Sequence, residues 1–180
     1  MYIYMLTNFD IDRICEKLDL DIVGVFSKDE LAQEKKRLGG YYINMQDAID
    51  KATGAQNDGS HWTFFYIYSD DDRWVDSDDE LSSNSDYKHT KAIYFDSFGL
   101  GMSKEVAAFL KPFGKIPCNN RQIQNIDTTE CGWYCIMCHY VLEHKKHSET
   151  YLEDYERFLN MWNDDTKKNL TLLKKFMKPL

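Results

Sequence analysis

The residues that could carry chemistry begin with a thiol and an amide. Cys131 stands at the predicted start of an apolar helix, and Gln124 precedes it by seven positions. A cysteine at a helix N-terminus faces free backbone N–H groups and the positive end of the helix dipole, which favours thiolate over thiol. The same N–H groups, with the Gln124 amide, could stabilise a developing oxyanion. The segment therefore predicts a nucleophile that attacks a carbonyl group.

A base and its orienting partner are predicted on two consecutive strands. His61 opens an aromatic-rich strand, and Asp96 ends the next strand along the chain. If these strands are neighbours, Asp96 can accept a hydrogen bond from one ring N–H of His61 and leave the other ring nitrogen facing Cys131. Taken singly, each residue also suits a structural role in a cap, a turn or the core. Together they indicate the nucleophile, base and orienting acid of a cysteine protease.

The same positions carry a resemblance to a known family. The sequence reads Gly59-Ser-His-Trp62, then Tyr94-Phe-Asp-Ser-Phe-Gly99, then Gln124, six further residues and Cys131-Gly132. In this order, with Cys last, the chain resembles the adenovirus-protease superfamily and, within it, the viral adenain-like branch that includes virophage and Polinton-type maturation proteases. The step from Gln124 to Cys131 matches adenovirus protease, whereas the ubiquitin-like-protein proteases usually have a shorter one.

The resemblance implies a cysteine endopeptidase that cleaves viral capsid and core precursor proteins during virion maturation. It implies that Cys131 is the nucleophile and that His61 is the general base and acid. It further implies that Asp96 orients His61 and that Gln124 donates to the oxyanion. It also places Trp62 and Gly132 in the substrate cleft, although ordinary core packing is an equally good interpretation of Trp62. Two alternatives stay open: a protease that removes ubiquitin-like modifiers, and a non-catalytic peptide-binding module on the same fold.

The chain departs from adenovirus protease in ways that bear on activators. Asp96 stands where that enzyme has Glu, and either carboxylate can orient a histidine. The adenovirus enzyme is basic and is stimulated by DNA and by a disulfide-linked viral peptide, whereas this chain has a formal net charge of −8. Cys118 does not align with the peptide-linked cysteine. We therefore predict no cofactor, and the acidic charge argues against nucleic acid as a partner or activator.

The cysteines bear on metal binding and on compartment. Cys131, Cys135 and Cys138 share one face of the predicted helix, but zinc sites usually combine ligands from separate segments. Core packing is therefore the favoured interpretation of Cys135 and Cys138, and we predict no metal. The five cysteines are an odd number, which is typical of reduced thiols. We expect an intracellular, reducing compartment, the host cytoplasm or a viral factory, with packaging in the virion.

Length and hydrophobic patterning predict the architecture. A chain of 180 residues suggests one domain, 1–180, with a helical C-terminal extension over about 145–180. No apolar run is long enough to cross a membrane, and a monomer is favoured. We predict an α+β fold with a short, mostly antiparallel central sheet flanked by helices, and with Cys131 at the N-terminus of a buried central helix.

The order of elements follows from periodicity and capping residues. Strands are predicted over 22–26, 61–68, 91–96 and 122–126. Helices are predicted from Thr7 or Asn8, from Ser27 to the Gly39-Gly40 pair, over 43–52, from Ser103 to about Leu110, over 131–144, from Ser148, and from Thr166. The segment 69–90, with eight acidic and two basic residues, is predicted to be a solvated loop or the splayed tip of a hairpin.

Overall fold

The fold is built on a four-stranded sheet flanked by helices. The structure, a computed structural model, describes residues 5–57, 59–69, 80–81, 84–144 and 150–179, apart from the side chains of 84 and 85. The strands are β1 (Ile22–Ser27), β2 (Gly39–Asn44), β3 (Trp62–Ser69) and β4 (Thr90–Phe95). The described α-helices are α1 (Asn8–Lys17), α2 (Asn84–His89), α3 (Lys104–Leu110), α4 (Cys131–Glu143), α5 (Tyr151–Asn160) and α6 (Thr166–Met177), with 3-10 turns at Glu30–Gln33 and Lys111–Phe113.

The sheet is mixed but mostly antiparallel. Its strand order is β1-β2-β3-β4; β1 and β2 run parallel, and the other two pairings are antiparallel. The predicted α+β class, with its short and mostly antiparallel sheet, is therefore confirmed. Among the helices that the structure describes, none is long and apolar enough to cross a membrane.

Both faces of the sheet are buried, because successive side chains of a strand point to opposite sides. Tyr42 and Phe64 belong to a core shared with helices α1, α4, α5 and α6. Tyr41 and Phe65 belong to a second core on the other face, which includes α3. Every residue of 131–139 in α4 is buried, as expected for a helix that is apolar all round. The predicted buried central helix is confirmed.

The strand pairing aligns one end of all four strands. Ser27, the last residue of β1, pairs with Asn44, the last residue of β2. Asn44 pairs in turn with Trp62, the first residue of β3. Because β3 and β4 are antiparallel, the start of β3 lies beside the end of β4. His61 and Asp96, which flank these ends in sequence, are thereby brought to the same end of the sheet.

Strand β2 is a correction to the sequence prediction. Gly39 and Gly40 were expected to end a helix and 43–52 to form another, but Gly39–Asn44 is a fully buried internal strand. A Cβ at Gly40 would lie 2.5 Å from the His139 ring, and Gly39 has φ +114°, so both glycines allow close packing. The bulky β-formers at 41–43 decide the local structure, and the chain beyond Asn44 forms turns.

Three other boundaries differ from the prediction. Residues 122–126 form no strand, because the N–H groups of Ile123 and Gln124 both donate to one carbonyl, that of Ser97. Helix α2 lies within the acidic segment predicted to be a loop, of which 70–79 and 82–83 fall outside the described residues. Helix α5 begins at Tyr151, capped by Thr150, and the predicted cap Ser148 also falls outside the described residues.

The predicted caps of α1 and α3 are confirmed. Thr7 forms a capping box with Asp10, and the Ser103 hydroxyl accepts from the Val106 N–H. The box expected at Ser27 is only half formed. The Glu30 carboxylate accepts from the Ser27 N–H at 2.6 Å, but the helix that follows is a short 3-10 turn whose N-cap side chain makes no capping hydrogen bond.

Candidate active site

The thiol of Cys131 lies at the first residue of α4. The N-cap residue, Glu130, makes no capping hydrogen bond with its side chain, so it does not satisfy the first N–H groups of the helix. The Trp62 backbone N–H donates to the Cys131 sulfur at 3.4 Å. The sulfur thus accepts from one backbone N–H and sits at the positive end of the α4 dipole. Cys131 is only 2% exposed.

The imidazole of His61 is held by Asp96. The distance from His61 Nε2 to Asp96 Oδ1 is 2.9 Å, and the side chains are 13% and 1% exposed. Asp96 Oδ1 also accepts from the Phe98 N–H at 2.8 Å, and the Phe98 ring stacks on the imidazole with centroids 4.5 Å apart. These contacts fix the orientation of the ring, and Nε2 carries the proton that it donates to Asp96.

The second ring nitrogen of His61 is turned away from Asp96. His61 Nδ1 is buried and has no hydrogen-bond partner of good geometry among the described residues. Burial lowers the pKa of His61, but the hydrogen bond and charge of Asp96, together with the neighbouring Cys131, outweigh burial and raise the pKa to about 9. The imidazole is therefore positively charged at neutral pH, and the structure brings together Cys131, His61 and Asp96.

Gln124 is placed less simply than the sequence suggests. It is fully buried, and its side-chain oxygen accepts from the Ser97 hydroxyl at 2.7 Å. Its side-chain nitrogen donates to the carbonyl and the hydroxyl of Thr128, at 2.9 and 3.2 Å. This orientation of the amide is the satisfied one, because a carbonyl can only accept. The Gln124 N–H groups are thus engaged within the 124–130 loop that leads to Cys131.

Asn119 is a site residue that sequence reasoning missed. Its side-chain oxygen accepts from the Asp96 N–H at 3.1 Å, and its nitrogen donates to the Asp96 carbonyl at 2.6 Å. The same nitrogen donates to the Arg121 carbonyl at 3.1 Å. Asn119 therefore holds the backbone of Asp96 from both sides. No local pattern marks an asparagine in an irregular segment for this role.

Helices α5 and α6 brace the same region and were also missed. The Tyr155 hydroxyl donates to the Tyr94 carbonyl in β4 at 2.7 Å. Arg121 donates to the Leu159 carbonyl at 2.6 Å. Asn169, fully buried in α6, donates to the Ile123 carbonyl at 2.9 Å, next to Gln124. The C-terminal helices thus fix both the end of β4 and the loop before Cys131.

Trp62 and Gly132 lie beside the thiol, in packed surroundings. The Trp62 indole N–H donates to the Leu6 carbonyl at 2.8 Å, and the residue is 4% exposed. A Cβ on Gly132 would lie 3.2 Å from a Leu6 side-chain carbon and 3.3 Å from Cδ1 of Trp62. Trp62 therefore packs in the core, and it also lines a cavity at the sheet end.

The other thiols of α4 differ from Cys131. Burial raises the pKa of Cys135 and of Cys138 well above the ordinary value, so both remain protonated. Cys135 donates weakly to the Trp62 carbonyl at 3.5 Å. Within the described parts of the chain, no group of three or more Cys, His, Asp or Glu side chains is arranged to hold a metal ion.

Comparison with known proteins gives a likeness at the level of structure. No protein-family model and no curated protein sequence matches the chain. The fold is similar to the crystal structure of the ASFV pS273R protease, with a TM-score of 0.51 and 15% identity, over 92% of this chain and 64% of that one. A selenomethionine form of that protease gives a TM-score of 0.43 at 15% identity, over 88% and 68% of the two chains.

The likeness concerns the fold. This chain spans just under two thirds of the ASFV protease, at an identity of 15%. Its α+β fold resembles that of the ASFV pS273R protease. The fold expected from the sequence is therefore confirmed, and the roles assigned to the His, Asp, Gln and Cys motifs stay predictions.

Proposed function

We propose that this chain is a cysteine endopeptidase with Cys131 as its nucleophile. The observation that carries the proposal is that the His61 imidazole is hydrogen-bonded to Asp96 and interacts electrostatically with the Cys131 thiol. Cys131 is the first residue of a buried helix whose first N–H groups lack a side-chain cap. The fold likeness to a viral cysteine protease supports the reaction class.

The raised pKa of His61 gives the mechanism its starting state. With a pKa of about 9, the imidazole holds a proton at neutral pH and stabilises a thiolate on Cys131. The thiolate attacks the peptide carbonyl carbon, and His61 then gives its proton to the departing amine, leaving a thioester on Cys131. Water next gives a proton to His61 and attacks the thioester. Release of the acid product restores the thiolate and imidazolium.

The oxyanion of each tetrahedral intermediate requires hydrogen-bond donors. The first N–H groups of α4 are suitable, because a helix N-terminus presents them together. Gln124 is the second proposed donor. Its nitrogen now donates to Thr128, so one N–H must leave Thr128 when the oxyanion forms. Backbone groups therefore carry more of the stabilisation in this proposal than the sequence alone suggests.

The proposed substrates are precursor proteins of the capsid and core of a virus or a virophage- or Polinton-type element. Support comes from the viral motifs in the sequence and from the similarity of fold to an ASFV protease. A reducing compartment suits a site that depends on a free thiol. Trp62 and Gly132, which lie beside Cys131, are the proposed substrate contacts.

Co-expression with candidate capsid precursors tests the proposal. Wild-type enzyme should give new precursor fragments by intact mass spectrometry, and Cys131→Ala should give none. Cys118→Ala, at an exposed cysteine, is the matched control and should cleave as the wild type does. Identical precursor masses from wild type and Cys131→Ala would overturn the endopeptidase. Release of a modifier C-terminus, without internal cuts, would favour a deconjugating protease.

Alkylation rates separate an enzyme from a binding module. Iodoacetamide at pH 7 should modify Cys131 faster than Cys118, although Cys131 is 2% exposed and Cys118 is exposed. Accessibility alone predicts the opposite order, so a faster Cys131 reports the thiolate. Equal or slower modification of Cys131 would favour the non-catalytic module.

A further inference from the structure

A polar cavity lies at the end of the sheet that carries the proposed site. Its volume is about 160 Å³, which is smaller than the roughly 300–1,000 Å³ of pockets for small-molecule ligands. It is large enough for one side chain of a bound polypeptide. Six of its lining side chains carry an oxygen that can accept a hydrogen bond: Asn8, Ser27, Glu30, Asn44, Gln56 and Asn57.

Strand pairing puts this cavity next to the nucleophile. Ser27, Asn44 and Trp62 are consecutive partners at the aligned strand ends, and all three line the cavity. Trp62 also donates its backbone N–H to the Cys131 sulfur. One residue therefore contacts both the thiol and the cavity, so a polypeptide bound at Cys131 can reach the cavity with a nearby side chain.

The described lining of the cavity carries one negative charge and no positive charge. Glu30 is the only ionisable side chain among the described lining residues, and none of them is Lys, Arg or His. The Ser27 N–H donates to one oxygen of Glu30, which fixes that carboxylate in place. Lys28 and Lys51 both pair with Asp47, at 3.5 and 2.9 Å, and neither forms an ion pair with Glu30 among the described contacts.

The amide groups add further acceptors. The side-chain nitrogen of Asn57 donates to the Asp47 carbonyl, which leaves the Asn57 side-chain oxygen as an acceptor. A cationic side chain, which only donates, suits a cavity lined by a fixed carboxylate and amide oxygens. The formal net charge of −8 adds a long-range attraction for basic polypeptides.

We propose that the cavity bounded by Glu30, Asn57 and Trp62 receives a lysine or arginine side chain of the polypeptide that binds at Cys131. The proposal rests on the endopeptidase function and adds a preference for basic substrates to it. Glu30 is the specificity-determining residue, and the amide side chains of the cavity are the supporting acceptors.

A positional peptide library tests this preference. Labelled octapeptides fix Lys, Gln or Glu at one position and mix residues at the others. At one position near the cleaved bond, Lys should give a kcat/KM about fivefold higher than Gln, as expected for an exposed ion pair, and Glu should be the poorest. Glu30→Gln, which can still accept from Ser27, should abolish the advantage of Lys over Gln. Glu34→Gln, at the residue that follows this 3-10 turn and outside this cavity, should retain it.

Binding to Cys131→Ala separates the pocket from the reaction. The same peptides, followed by fluorescence anisotropy, should bind with the same preference for Lys, and Glu30→Gln in that background should remove it. Lys preference in binding without cleavage by the wild type would support the pocket and reject the endopeptidase. A preference that is absent, or that survives Glu30→Gln, in both binding and cleavage would overturn the pocket.

Discussion

The charge state of His61 is set by two partners that oppose its burial. The imidazole is largely buried, and burial lowers the pKa, yet the hydrogen bond and charge of Asp96 and the contribution of Cys131 raise the pKa to about 9. A folded pKa above the unfolded value of 6.5 means that this interaction stabilises the fold fully below pH 6.5. The stabilisation is lost as the pH rises through about 9. The imidazolium that the proposed mechanism requires should be lost over the same rise in pH.

The first residue-scale prediction concerns Asp96→Asn. The asparagine oxygen can still accept from the Phe98 N–H, so the turn remains, but the charge that raises the His61 pKa is gone. The alkaline limb of kcat/KM should move from near pH 9 toward or below 6.5, and activity at pH 7 should fall by about 10²–10⁴-fold. Peptide cleavage from pH 5 to 10 measures both effects.

Asp127→Asn is the matched control for that experiment. Asp127 is an exposed acid in the 124–130 loop, so its loss should leave the alkaline limb in place. If Asp96→Asn retained an alkaline limb near pH 9, another group would have to set it, and the assigned role of Asp96 would be wrong.

How far the sequence predicts the site follows from where its signals lie. His61 and Asp96 flank strands with strong β-formers, and the antiparallel pairing of β3 and β4 makes their juxtaposition predictable. Asn119 has no such signal, because its role is to hydrogen-bond two backbone atoms of Asp96, a residue 23 positions away in sequence. The hydrogen bonds of Gln124 with Ser97 and Thr128 could not be predicted either, because they depend on the path of an irregular loop.

At the scale of elements, the C-terminal helices position the site although they contribute none of its proposed catalytic residues. The Asn169 side chain in α6 donates to the Ile123 carbonyl. It also donates to the Asn163 carbonyl at 2.7 Å and accepts from the Asn163 N–H at 2.8 Å. One buried side chain thus ties the turn between α5 and α6 to the segment that carries Gln124.

We predict that Asn169→Leu weakens both the fold and catalysis. The substitution leaves the Ile123 carbonyl and the backbone groups of Asn163 without their partner, which should cost on the order of 1–3 kcal/mol in the free energy of unfolding. Because Ile123 precedes Gln124, kcat should fall more than KM rises under conditions where the variant remains folded. Urea unfolding and peptide kinetics measure the two effects.

Thr171→Ala provides the comparison on the same helix. Thr171 is exposed, and its hydroxyl makes only a 3.4 Å bond to the Lys167 carbonyl, so stability should change by less than about 0.5 kcal/mol. An Asn169→Leu variant with lower stability but a wild-type kcat would show that α6 supports the fold without positioning the site.

Strand β2 shows why element prediction failed where it did. Its sequence, GGYYIN, begins with two residues that usually end elements, and the signal for a strand occupies only three positions. Position 40 of this strand is a glycine because the His139 ring of α4 occupies the space that a side chain would take. That contact joins positions far apart in sequence, so no window around 40 contains it. The α1 and α3 caps were predictable because each is local.

At the scale of the whole molecule, a buried polar chain runs through the core behind the site. Cys15 in α1 donates to the Tyr42 hydroxyl at 3.4 Å, and that hydroxyl bonds to His139 Nδ1 at 3.0 Å. His139 Nε2 lies 2.9 Å from Glu143, which also accepts from the Asp21 N–H. The chain links α1, β2 and α4, and it fixes α4 at its last turn.

The pKa of Glu143 makes this network sensitive to acid. Burial raises the pKa of Glu143, but the hydrogen bond and charge of His139, with the Asp21 N–H and Tyr66, lower it overall below its ordinary value of 4.5. The folded pKa is therefore depressed, and the stabilisation is present above pH 4.5 and lost as the pH falls through the folded value. Removing the Glu143 charge should therefore lower the free energy of unfolding at neutral pH and leave it unchanged in strong acid.

We predict that Glu143→Gln lowers the free energy of unfolding at pH 7 by on the order of 1–3 kcal/mol, as for a buried charged hydrogen bond. The difference from wild type should shrink steadily below pH 4.5. Urea unfolding from pH 3 to 7 measures it. Glu156→Gln, at an exposed acid of α5, should show no such trend, and a constant deficit for Glu143→Gln at every pH would contradict the linkage.

The outer side of β4 is already occupied near the proposed site. The Tyr94 N–H donates to the Pro117 carbonyl, and the Asp96 N–H donates to the Asn119 side chain. A polypeptide cannot lengthen the sheet there by edge-to-edge pairing unless it first displaces the 117–119 segment. An extended chain that approaches Cys131 from the β4 side is therefore expected to lie across the strand termini and to be aligned there by its side chains, without a backbone ladder to β4.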